Sequence, residues 1–238
     1  MRCQGGANAG HTVVVGDRKV VLHLLPSGAL HEGATCIVGN GVVVDPAALI
    51  HELADLGAAG EQLARRLIIS DRAHLVLPWH KLLDAAAELR KGDAKVGTTL
   101  RGIGPAYGDK IARTGFRCGE LTNLPSFEKR LRAQLELVND QLAAFKAAPV
   151  DIDETVAKVL ADCRRIAPYV GDTASRLHQA VIDGEMILFE GAQGVLLDVD
   201  YGTYPFVTSS NTGIGGVVTG SGVSHKCLGE VIGIVKAY

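Results

Sequence analysis

Hydrophobic positions in this chain fall into short apolar runs that alternate with stretches of helical period. Val13 to Val15 and Lys19 to Leu25 flank Gly16-Asp17-Arg18, a pattern of two strands joined by a tight turn in which Gly and Asp tolerate positive φ. Cys36 to Val38 reads as the next strand, broken by Gly39-Asn40-Gly41. Asp45-Pro46 then supplies an N-cap and a first-turn proline for a helix that places Leu49, Ile50, Leu53 and Leu56 on one face, with Gly57 as its stop. Leu67 to Ser70 and His74 to Leu77 are short buried strands, and Trp79 to Leu89 returns to helical spacing before a loop from about Gly92.

Ser126 to Phe145 spaces Leu131, Leu135, Leu137, Val138 and Leu142 as a long amphipathic helix, and Ile152 to Ile166 and Thr173 to Ile182 are two more. Met186 to Phe189 and Val231 to Val235 are compact apolar strands. The alternation predicts an α/β fold with a central, largely parallel sheet flanked by helices and a helical insertion in the middle. No internal repeat interrupts it. The first residues already belong to a ligand-type loop and the last to a strand, so residues 1–238 are expected to form a single, partial domain.

Composition narrows the functional classes. The 238 residues are 47% hydrophobic with a formal net charge of -2, which suits a globular core and gives no bulk attraction for nucleic acid or an anionic membrane. Anion recognition must therefore be local. Cys3, Cys36, Cys118, Cys163 and Cys227 are scattered without a CxxC pair, against a disulfide framework and against a zinc ribbon. There is no signal peptide pattern and no run of about 18 apolar residues, so a cytoplasmic location is expected.

Three loops carry the candidate chemistry. In Gln4 to Thr12, Gly5, Gly6 and Gly10 allow backbone to approach a phosphate, Asn8 and Thr12 add donors, and His11 adds an acid near neutral pH. In Gly97 to Tyr107, Thr98 and Thr99 are hydroxyl donors, with Arg101, Lys110 and Arg113 as charge-assisted partners. Gly191-Ala192-Gln193-Gly194 follows Glu190 at the end of a predicted strand, where open α/β sheets bind ligands, and leads to the hydroxyl-rich Thr203 to Thr212. Gln193 suits a heterocycle or an oxyanion, and Thr208, Ser209, Ser210, Asn211 and Thr212 suit a phosphate. The ordinary alternatives are a glycine turn with a surface histidine, a solvated basic loop and a hydroxyl-rich capping turn.

Other signatures fail. Gly215-Gly216-Val217-Val218-Thr219-Gly220-Ser221 has serine where a Walker A loop needs lysine. Gly213-Ile214-Gly215 lacks the last glycine of a dinucleotide fingerprint. His23, His31, His51, His74, His80, His178 and His225 show no metal-ligand spacing and read as core or surface histidines. No serine stands in G-x-S-x-G.

QGG-x-NAGHT, GTT-x-RGIGPAY with Asp109-Lys110 and Arg113, FEGAQG-x-LLD and GTYP-x-VTSSNT stand in this order. Together with His23-Leu24-Leu25-Pro26-Ser27-Gly28 and Gly39-Asn40-Gly41-Val42-Val43, they resemble adenylosuccinate synthetase (adenylosuccinate synthase) over essentially the whole chain. The resemblance implies a GTP-dependent ligase. GTP phosphorylates the 6-oxygen of inosine monophosphate (IMP), and the amine of L-aspartate displaces that phosphate to give adenylosuccinate. By the same resemblance His11 meets the γ-phosphate as an acid, with Gly10 and Thr12 beside the GTP, and Gly10 offers its carbonyl to Mg²⁺. Asn8, Ala9, Gly10, His11, Thr99, Gln193 and Thr208 hold IMP, Gln193 also serving catalysis near the base. Arg113 reaches the nucleotide of a neighbouring subunit, which implies a homodimer.

Departures from the family pattern qualify this. The family's glycine-rich W-G-D-E-G-K-G-K opening is not in these residues, and with it are missing the aspartate that deprotonates the purine and a phosphate-binding lysine. The arginine-rich aspartate loop and the guanine-recognising motif are absent too. The 238 residues are therefore expected to be inactive alone, and the rival reading is a noncatalytic nucleotide-binding or subunit-interaction module. A generic phosphate-binding, kinase-like α/β enzyme is a third reading, opposed by the missing Walker lysine.

Overall fold

A computed structural model describes residues 1–16 and 18–235. His11–Val15 (β1) and Arg18–Leu22 (β2) form an antiparallel hairpin. Gly16 has the expected positive φ of 58°, while Asp17 lies outside the described residues. Cys36–Val38 (β3), Leu67–Ser70 (β5) and Val170–Gly171 (β7) form a parallel sheet in the order β3-β5-β7, and Val43–Val44 (β4) and His74–Leu75 (β6) form a second parallel pair. β4 and β6 lie on the same two chain segments as β3 and β5, beyond breaks at 39–41 and 71–73.

The amino-terminal segment extends the larger sheet. Arg2 bridges Val38 on one side and Glu190 on the other, both in parallel, and the Glu190 amide donates to the Met1 carbonyl at 2.8 Å. The expected strand at Met186 to Phe189 therefore runs beside the sheet but joins it by that single bridge rather than a full ladder. Val231 to Val235, also expected as a strand, has no regular structure, and Val231, Ile232, Ile234 and Val235 are exposed. Its apolar pattern lacks a strand to pair with among the described residues.

Eight α-helices among the described residues surround the sheets. They are Pro46–Asp55 (α1), Ala58–Ala64 (α2), Pro78–Lys91 (α3), Ile103–Ala112 (α4), Leu124–Ala144 (α5), Ile152–Ile166 (α6), Thr173–Ile182 (α7) and Ile214–Ser221 (α8). Asp45 caps α1 by accepting from the Ala48 amide at 3.2 Å, and Gly57 turns the chain with φ 57°. Because side chains alternate across a strand, Cys36, Val38, Leu67 and Ile69 face a large core with Leu49, Leu63, Leu131, Leu135, Val159 and Ile166. Ile37 and the half-buried Ile68 face the other way, onto Met1, Cys3, Leu177 and Val223. A third cluster packs α4 onto the small parallel pair through Val43, Val76, Ile103, Ala106 and Tyr107.

Glycines permit the closest approach in the fold. A Cβ on Gly41 would stand 2.0 Å from the Cys3 carbonyl oxygen, and one on Gly220 of α8 would stand 1.9 Å from the same atom. Backbone of the first loop segment, the 39–41 break and α8 thus touch directly, tied by the Gly41 amide to the Gly220 carbonyl at 3.1 Å and by Asn40 Nδ2 to the Thr219 carbonyl at 2.7 Å.

Candidate functional site

The first and third loops both leave the carboxyl ends of neighbouring parallel segments, 1–4 and 186–190, the position at which open α/β sheets present residues to ligands. Gln4 Nε2 donates to the Ala192 carbonyl at 2.8 Å and lies 3.4 Å from Gln193 Oε1. Gln193 sits at φ 65°, and its Nε2, like Gln4 Oε1, is buried with no hydrogen-bond partner. Two buried, unsatisfied amide atoms on neighbouring carboxamides are costly and suit a polar ligand that supplies the missing partners.

His11, the first residue of β1, meets Glu190: Nδ1 and Oε1 are 2.5 Å apart. The other carboxylate oxygen accepts from the Ser27 amide and hydroxyl, both at 2.7 Å, and buried Arg2 stands 3.9 Å from Oε1. Burial pushes the Glu190 carboxyl upward, but His11, the two Ser27 donors and the Arg2 charge prevail and hold it at about 2. The ionised Glu190 accepts a hydrogen bond from Nδ1–H, which fixes the tautomer and leaves Nε2 as the ring nitrogen open to a ligand.

The second loop closes on the first. Arg101 Nη1 donates to the Ala7 carbonyl at 2.5 Å, and the Tyr107 hydroxyl accepts from the Gly5 amide at 3.0 Å while donating to the Gly41 carbonyl at 2.6 Å. Gly104, in the first turn of α4, faces Ser209: a Cβ there would lie 3.4 Å from Ser209 Oγ. All three loops therefore converge. α4 itself was not expected, since Gly102, Gly104 and Pro105 read as loop; Pro105 falls within the first turn, where no helical amide bond is lost.

Within this meeting place the expected residues separate into two groups. Asn8 Oδ1 accepts from the Gly6 amide at 3.2 Å, the Ala9 carbonyl meets His23 Nδ1, and Thr208 and Ser210 place their hydroxyl oxygens 3.4 Å apart. Gly10 is exposed with open space around it. Thr12 is exposed on β1, and Thr99 is exposed at the crest of the second loop. Arg113 is exposed at the far end of α4, with φ 66°; ten residues of helix set it about 15 Å from the loop at the helix start.

Gln4, Ser27, Glu190 and Tyr107 were not among the predicted site residues, although Glu190 already stood at a strand end in the sequence. Asp198 is also organising: its buried carboxylate accepts from the amides of Asp200, Tyr201, Thr212 and Gly213. Burial opposes ionisation there, but those amides hold the group at about 2. Among the described residues no three His, Cys, Asp or Glu side chains gather as a metal cage. A cavity of about 440 Å³ between β2 and α1 is lined by residues including Lys19, His23, His51, Glu52 and Asp55, and by none of the predicted site residues.

A parallel sheet whose loops gather glycine amides, hydroxyls and carboxamides at its carboxyl ends places the chain among α/β proteins whose open sheets present ligand sites at such positions. The sequence matches the adenylosuccinate synthetase family over residues 1–238. The chain belongs to the adenylosuccinate synthetase family. It is 52% identical over 238 residues to the adenylosuccinate synthetase of Saccharophagus degradans, covering 100% of this chain and 55% of that protein. The Pasteurella multocida adenylosuccinate synthetase is 49% identical over 239 residues, with the same coverage. The chain thus spans about half the length of the curated relatives it matches. The structure of fully ligated adenylosuccinate synthetase from Plasmodium falciparum superposes with a TM-score of 0.87 at 35% identity, over 96% of this chain and 53% of that one.

Proposed function

We propose that this chain supplies the IMP site and the phosphoryl-transfer histidine of a GTP-dependent ligase that joins L-aspartate to IMP to give adenylosuccinate. The observation that carries the reading is the convergence of the loops: His11 on Glu190, Gln193 on Gln4, Arg101 on Ala7. In the first step the bond between the γ-phosphorus and the β,γ-bridging oxygen of GTP breaks and a bond to the 6-oxygen of IMP forms. In the second the aspartate amine attacks C6 and phosphate leaves. His11, oriented through Nδ1 by Glu190, offers Nε2–H to the phosphoryl oxygens when protonated, stabilising charge as it shifts. Gln193 presents its unpartnered carboxamide nitrogen to the 6-oxygen. Asn8, Ala9, Gly10, Thr99 and Thr208 cradle the nucleotide, and Thr12 flanks the GTP with Gly10 and His11.

A Mg²⁺ ion would take from these residues only the exposed Gly10 carbonyl, a hard oxygen donor. That fits an ion that keeps most of its shell for water and phosphate oxygens, and its chemistry is neutralisation of phosphate charge. By the family resemblance, the proton on the purine ring is taken by an aspartate that is not among these 238 residues. Arg113, exposed and remote from the second loop, suits a partner's nucleotide, so the working unit is a homodimer with Arg113 reaching across. Five free cysteines fit a reducing, cytoplasmic setting. No helix among the described residues is long and apolar enough to cross a membrane.

Calorimetry with IMP, paired with an assay for adenylosuccinate given GTP, aspartate and Mg²⁺, tests the reading. Saturable IMP binding supports the site; binding without turnover assigns the chain as a nucleotide-binding module; no binding by the dimer or the monomer sinks the reading.

A further inference from the structure

We propose that Asp84 and Glu88 of α3 are positioning residues that hold the Gly97–Gly102 loop in the shape that receives the nucleotide phosphate. The inference rests on the reading of that loop given above. Four residues apart, the two carboxylates share one helix face and are 6% and 5% exposed. Glu88 Oε2 accepts from the Gly97 amide at 2.9 Å and the Thr98 amide at 3.4 Å, while its Oε1 takes Lys91 Nζ at 2.9 Å. Asp84 Oδ1 accepts from the Thr98 hydroxyl at 2.8 Å, and Oδ2 from the Gly102 amide at 3.1 Å. Both ends of the loop are therefore pinned to one rigid helix.

Two buried carboxylates beneath a loop for anions would repel the ligand unless their charge were already engaged, and here every oxygen has a donor. The bonds also select between neighbouring threonines. Thr98 spends its hydroxyl on Asp84, whereas the exposed Thr99 hydroxyl has no side-chain hydrogen bond among the described residues. The loop needs such anchors because Gly97, Leu100 and Gly102 all adopt positive φ, at 79°, 56° and 72°, a conformation that is unfavourable for leucine. Gly102 is further fixed by contact: a Cβ there would come within 2.7 Å of the His80 and Lys81 backbone.

The test is amide hydrogen exchange on the ligand-free full chain, joined to calorimetry with IMP and with inosine, which has the base and sugar but no phosphate. Glu88→Ala is expected to speed exchange at Gly97 and Asp84→Ala at Gly102, each by about tenfold or more, with α5 and α6 unchanged. IMP affinity should fall by about tenfold or more and inosine affinity by less than about twofold. Asp84→Asn and Glu88→Gln keep one carbonyl oxygen in place, are expected to recover part of both effects, and carry the test if the alanine variants fail to fold. Unchanged loop exchange, or equal loss for IMP and inosine, overturns the proposal. If the parent binds neither compound the phosphate reading fails, and the phosphate role of the clamp fails with it. If the parent binds IMP and the variants bind it equally well, the clamp alone is wrong.

Discussion

His11 and Glu190 lie 179 residues apart in the chain, yet their Nδ1 and Oε1 atoms are separated by 2.5 Å. The contact joins the start of the β1–β2 hairpin to the outermost parallel segment. Ser27 occupies the other carboxylate oxygen, so three distant segments share one half-buried charge.

Because the folded Glu190 carboxyl titrates at about 2 against an ordinary 4.5, its contribution to stability is complete above pH 4.5. It is lost as pH falls from 4.5 through 2, and amounts to about 3 kcal/mol. Urea unfolding of parent and Glu190→Gln across that window should show the parent losing stability more steeply; parallel curves would contradict this.

His74 acts in a higher window. Burial first, then the nearby Lys110 and Arg117 charges, lower its pKa from 6.5 to about 4. The fold binds the neutral ring, so this contribution is complete above pH 6.5 and is lost as pH falls from 6.5 through 4, again by about 3 kcal/mol. The stability slope between pH 6.5 and 4 should flatten in His74→Gln.

Tyr107→Phe should destabilise the protein by ~1–3 kcal/mol by denaturant midpoint, since the Gly5 amide and the Gly41 carbonyl lose a buried partner. Burial, opposed by hydrogen bonding, pushes the phenol up to about 12, so the loss should be independent of pH below about 10.

Gly220→Ala sets two effects against each other. Helix propensity favours alanine by about 1 kcal/mol, but its Cβ would lie 1.9 Å from the Cys3 carbonyl oxygen, an overlap only a backbone shift relieves. Destabilisation should win by ~2 kcal/mol or more, read from thermal unfolding; a raised melting temperature would refute the packing argument.

Where periodicity was strong the sequence was sufficient. Cys36–Val38, Leu67–Ser70, Ile152–Ile166 and Thr173–Ile182 form the expected elements at the expected residues, because each buries a continuous face. His74 and His80, read as core or surface histidines, are buried. Glycine hid the rest. α8 looked like a failed phosphate loop, yet Gly216 and Gly220 are small because Asn211 and Cys3 backbone presses on them. His74 to Leu77 shortened to a two-residue strand because Pro78 begins α3. The candidate residues were legible as loops, but their partners were not: nothing local to Glu190 announces Ser27, and nothing local to Gly97 announces Glu88.

The central place of residues 1–4 governs the order in which the polypeptide can fold. Their neighbours in the sheet are residues around 38 on one side and 188–190 on the other, so this early segment finds its second neighbour only after about 185 further residues. On the ribosome, the helical hairpin of α5 and α6 and the β3–β5 pair have all their partners well before residue 190 emerges, whereas Met1 to Gln4 must wait for it. Until then the 1–4 segment has an open edge, and chaperone contact during that interval is the natural place for this chain to need help.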